Sequence, residues 1–157
     1  PGSHHVFVQN LPKSSYVRQM LVAGRLLKNR RISVPRGAPL EGLEIRLAFD
    51  AGIVNGAVGE DDASDSGAPP GFVVLLPDRY GEGWHFERLG RYRPEDGAYE
   101  ISGVPPGSYA VFAIPADNHF DLGIPEDLSY LRQRGRRVRV TAGESVTLEA
   151  PFIPDRE

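Results

Sequence analysis

Short apolar runs separated by glycine- and proline-bearing segments make up most of this chain, and several of them alternate with period two. Leu43, Ile45, Leu47 and Phe49 alternate with Glu44, Arg46 and Ala48, the clearest half-buried strand of the N-terminal third. Val6-Phe7-Val8-Gln9 predicts a strand that stops at the Asn10-Leu11-Pro12 turn, and Arg31-Ile32-Ser33-Val34 predicts another. Between them, Val17, Met20, Leu21 and Gly24 have helix-like spacing, but Tyr16-Val17 and Leu21-Val22 are β-rich. Ala23-Gly24 breaks either element, so the reading adopted is two short strands around Gly24. Ile53 to Val58 is a strand loosened by Gly56. Phe72-Val73-Val74-Leu75-Leu76 is apolar throughout, which suits a strand buried on both faces and is too short for a helix.

The central stretch runs from Glu95 to Ala113 and predicts a β-hairpin. Asp96-Gly97 is a turn, Tyr99 and Ile101 alternate with Ala98 and Glu100, and Val104-Pro105-Pro106-Gly107 connects to Tyr109-Ala110-Val111-Phe112-Ala113. The prolines lack donors and cannot enter a central ladder. The returning strand is apolar on both faces, so it is expected at the centre of its sheet. One helix is predicted near residues 125 to 134. Pro125 suits a first helical position, Glu126 and Asp127 the positive end, and Arg132 and Arg134 the negative end, with Gly135 closing it in the left-handed conformation. Ile124, Leu128 and Leu131 line one face, expected to pack over an open edge or end of the sandwich. Val138 and Val140, then Val146, Leu148 and Ala150, predict a final half-exposed hairpin around Ala142-Gly143-Glu144. The expected core is Val54, Val73, Leu75, Tyr99, Ile101, Tyr109, Val111, Phe112, Val138, Val140, Val146 and Leu148.

Composition narrows the class. With 157 residues the chain can build one ordinary core, or one complete small β-domain plus part of another, and its 18 Gly and 14 Pro fall mostly between apolar runs, as punctuation for many short strands. The net charge of -3 and the lack of a binding motif argue against nucleic acid as a partner. No apolar run approaches the ~20 residues of a membrane-spanning helix, so membrane insertion is not expected. Without cysteine there is neither a disulfide framework nor thiolate chemistry. Pro1-Gly2-Ser3 resembles an expression scar.

The run Asp96-Gly97-Ala98-Tyr99-Glu100-Ile101 followed by Val104-Pro105-Pro106-Gly107-Ser108-Tyr109 resembles the carboxypeptidase regulatory-like domain. That family is a transthyretin-like (prealbumin-like) β-sandwich related to Cna B-type and starch-binding-like modules. The resemblance extends over roughly residues 50 to 154. The family's short turn between its first two strands is replaced here by the longer acidic loop from Glu60 to Pro70. The resemblance implies an all-β, transthyretin-like or Ig-like sandwich with one short helix, secreted or placed in the cell envelope. It divides the chain into residues 1–49, closing strands of a preceding sandwich or an N-terminal extension, and residues 50–157, the regulatory-like domain. The function expected is a non-catalytic structural or interaction module of a larger protein with tandem β-domains. Its partner is a protein or a glycan. A carbohydrate-binding module and a regulatory accessory domain of an enzyme are the alternatives.

Three groups of residues are candidate sites. Tyr80, Trp84 and Tyr92, with Phe86 nearby, offer aromatic faces for stacking on sugar; packing of Trp84 and Phe86 in the core is the plainer reading. Arg132, Arg136, Arg137 and Arg139, with Arg134, form the densest basic cluster, suited to an anionic or acidic partner; helix-end compensation and an exposed strand face are the plainer reading. Asp61, Asp62 and Asp65 in the 59–71 loop concentrate carboxylates as a Ca2+ loop does, but without EF-hand spacing, so a solvated loop is the first reading. No cofactor is expected. Asp117-Asn118-His119 with Asp121 lacks a convergent third group, and serines sit in turns without a nucleophile elbow, so no catalytic residue is assigned.

Overall fold

The computed structural model describes residues 1–27, 30–37, 39–59, 69–78, 89–121 and 124–155. Among these residues the fold is all-β with one short helix. Two sheets form a sandwich. The larger has the order β11-β10-β7-β8 and contains β7 (Gly71–Pro77), β8 (Leu89–Arg91), β10 (Gly107–Pro115) and β11 (Arg136–Val140). The smaller has the order β12-β6-β9 and contains β6 (Gly52–Ala57), β9 (Ala98–Val104) and β12 (Ser145–Thr147).

The continuous apolar runs become the two innermost strands. β7 and β10 pair antiparallel from Tyr109↔Pro77 to Pro115↔Gly71. Their side chains alternate between two cores. Val73, Leu75, Tyr109, Val111 and Ala113 face the smaller sheet, where they meet Val54, Tyr99, Ile101 and Val104. Val74, Leu76, Ala110, Phe112 and Ile114 face the other way, where they meet Leu128 and Leu131 of α1 (Pro125–Arg134) and Ile153. Burial on both faces is why neither strand alternates in sequence. The helix thus covers a sheet face, not the edge or end expected. Ile124 remains 43% exposed and contributes little to that contact.

Three local expectations are corrected. The Tyr99 and Tyr109 strands do not pair with each other: β9 and β10 lie in different sheets, and Val104 to Gly107 is an arch across the core. Two prolines without donors cannot close a ladder, and the Tyr109 hydroxyl instead ties the arch down by donating to Pro105 O at 2.7 Å. Likewise β11 and β12 form no hairpin. β12 pairs in parallel with β6, and the intervening turn bonds to the start of β6, with Ile53 N–H donating to Glu144 O at 2.8 Å. Gly135 is extended, with φ -67, not left-handed. A Cβ there would lie 3.0 Å from Phe112 and 3.1 Å from Ala110, so close helix-to-strand approach explains the glycine.

Residues 1–49 make two further sheets. β2 (Tyr16–Val22), β3 (Arg25–Leu26) and β5 (Leu43–Ala48) form one in the order β3-β2-β5, matching the two strands expected around Gly24. β4 (Arg31–Val34) pairs with β1, which lies at Gly2–His5 and not over Val6 to Gln9. The link to the sandwich runs through Ala51 N–H to Ser14 O (3.1 Å), Gly103 N–H to Lys13 O (2.9 Å) and the exposed Lys13–Glu100 ion pair at 2.8 Å.

Candidate functional site

The arginines gather where β7 ends, β10 begins and α1 hands over to β11. The antiparallel register sets Arg137 opposite Ala110 and Arg139 opposite Ser108, so both share the helix-bearing face of the large sheet. Arg136 sits opposite Val111 and points to the other face, where its charge partly opposes the effect of burial on Tyr99. The cluster is therefore divided by the pleat.

Arg132 reaches from the last turn of α1 and donates to Pro77 O at 2.8 Å, satisfying a carbonyl at the strand end. Its Nε is buried without a partner, as is Asp78 Oδ1. Arg137 holds the other Asp78 oxygen at 3.3 Å, and its side chain is 71% exposed. An ion pair that open to water contributes little to stability and exchanges partners readily. Arg139 is exposed and makes no ion pair among the described residues. Arg134 stacks over the Tyr130 ring, 3.7 Å from its centroid. A cavity of about 420 Å³ lies beside this corner, lined by Pro77, Asp78, Pro105, Pro106, Ser108 and Tyr109. β11 itself is an edge: among the described residues its ladder is with β10 alone.

Tyr92 lies in the core, 4% exposed, and its hydroxyl donates to Pro69 O. Burial raises its pKa. It bridges to Tyr99 where the two sheets meet, so its ring face is not on offer to a sugar, and the aromatic set loses one of its three members. Tyr80, Trp84 and Phe86 lie outside the described residues, as do Asp61, Asp62 and Asp65. Among the described residues no three carboxylate, imidazole or thiol groups converge as metal ligands.

His119 pairs with Asp155 rather than with Asp117 or Asp121. Its Nδ1 bonds Asp155 Oδ2, and its N–H donates to Asp155 Oδ1 at 3.1 Å. The hydrogen bond, then the carboxylate's charge, raise the imidazole pKa above its usual 6.5. The effect is a clasp on the C-terminal segment.

A second cavity, about 320 Å³, opens between the N-terminal sheets and the sandwich, lined among others by Leu11, Pro12, Tyr16, Arg30, Ser102 and Pro105. Sequence reasoning missed it. Its two walls are some ninety residues apart in the chain, and no local pattern announces that they meet.

No family model, no curated protein and no solved structure matches this chain.

Proposed function

We propose that the chain is a non-catalytic interaction module of a larger secreted or cell-envelope protein, engaging an acidic segment of a protein partner along β11. The observation that carries this reading is an edge strand that, among the described residues, is paired on one side only and bears exposed Arg137 and Arg139 on a single face. Such an edge offers main-chain hydrogen bonds to an added strand, while arginines one pleat apart meet carboxylates spaced two residues apart. The resemblance of the Asp96 to Tyr109 run to regulatory-like sandwich modules supports the same reading.

A peptide of alternating Glu and Thr, titrated into isotopically labelled protein, tests it. Saturable amide shifts confined to β11, weakened by salt and abolished in the Arg137→Glu/Arg139→Glu variant, are expected. An unchanged response in that variant, or a response to neutral oligosaccharides with silent β11 amides, would sink the reading; the latter would favour glycan recognition.

A further inference from the structure

β5 is another strand at the end of its sheet, and its sequence is self-complementary. β5 ends the β3-β2-β5 sheet, and among the described residues its ladder is with β2 alone. Ala23 N–H donates to Gly42 O, and Met20 O accepts from Leu27 N–H on the opposite side of β2. Main-chain groups alternate in direction along a strand. Glu44 and Arg46 therefore turn their main-chain groups toward β2, and Leu43, Ile45 and Leu47 turn theirs to the free edge. The bulge in this pairing, between Val17 and Gln19, lies on β2, so the alternation along β5 is unbroken.

A two-fold axis through Ile45 would set Leu43 opposite Leu47 of a second copy, Ile45 opposite Ile45, and Glu44 opposite Arg46. Ile45 and the Leu43/Leu47 pair would exchange main-chain hydrogen bonds. Glu44 and Arg46 would fall at the non-bonded positions, where side chains approach most closely. Each copy already holds this charge pair locally, with Arg46 Nε 2.5 Å from Glu44 Oε1. A single sign of charge along an edge repels a second strand. Here the signs reverse about Ile45, so a second copy is attracted. Leu43 and Ile45, each 38% exposed, would lose water at the join.

We propose that two copies of this chain associate antiparallel through β5, making one six-stranded sheet. The association is independent of partner binding at β11.

The test is sedimentation of the intact chain and of exposed-charge variants over a range of concentration. Wild type is expected to dimerise. Glu44→Arg alone and Arg46→Glu alone each place like charges opposite one another at two positions per dimer, weakening association roughly tenfold or more. An equimolar mixture of the two single variants restores complementarity, and dimers re-form between unlike chains. Ile45→Pro removes an N–H that faces outward, so the fold persists by circular dichroism while the dimer is lost. A wild type that stays monomeric at all concentrations overturns the proposal. So does a dimer indifferent to the single reversals, or a mixture that fails to recover.

Discussion

A side chain at Gly56 would have no space: a Cβ there would lie 1.9 Å from Leu148 O, with φ at +153. Gly143 has φ +70 and nothing within 4 Å. Gly56→Ala is therefore expected to cost about 3 kcal/mol or more in urea unfolding, combining backbone strain with displacement of the segment at Leu148. Gly143→Ala should cost only about 1–2 kcal/mol, from backbone conformation alone. Equal losses would refute the steric argument. At His119 the folded-state pKa is raised, so the clasp's contribution is complete below the unfolded pKa, near 6.5, and is lost as pH rises through the folded value. An NMR titration of the His119 ring should give a pKa above 6.5 that returns toward it in Asp155→Asn. The Tyr99 phenol, whose hydroxyl donates to Leu148 O at 2.8 Å, is pushed up to about 12 by burial. Ultraviolet titration should find it still protonated at pH values where an unperturbed tyrosine, with a pKa near 10, has ionised. The sequence pointed to Gly56 only as a weak strand position; the oxygen that excludes its side chain belongs to a segment ninety residues away.

Elements formed largely where local pattern placed them, because strand and helix character depend on near neighbours. α1 begins at Pro125 and ends at Arg134, as its proline, its acidic first turn and its basic last turn require. Local pattern did not say which surface the helix would cover. Leu131 is fully buried against the β7–β10 face. Leu131→Ala should cost about 2–5 kcal/mol in thermal or urea unfolding, by opening a cavity beside Phe112. A loss under about 1 kcal/mol would mean that the helix merely rests on the sheet. The connections misled for a physical reason. A turn and an arch can share the same residues, and Val104-Pro105-Pro106-Gly107 fits both. Only the pairing of β9 with β6 and of β10 with β7 separates them. For the site, arginine spacing identified the cluster, but the pleat and the helix end decided that Arg137 and Arg139 share a face while Arg136 does not.

The molecule as a whole combines a doubly packed sandwich with smaller N-terminal sheets. β1 and β4 make a two-stranded ribbon whose residues are exposed or only half-buried, a form that is marginal in isolation. Hydrogen exchange should therefore release the β1–β4 amides first and those of β7 and β10 last, with a difference of orders of magnitude. Exchange of both regions at one rate would show that they open together. The sequence by itself determined the all-β class, the central place of the Tyr109 strand, the single helix and most of the core, because these follow from apolar periodicity and from where glycine and proline interrupt it. It also carried the alternating charges of β5. The tertiary structure alone decided the sheet partners, the burial of Tyr92, the cavity between N-terminal sheets and sandwich, and the open edges at β5 and β11. Each of those depends on segments far apart in the chain, and a strand's own residues record which faces are apolar but not which neighbour will cover them.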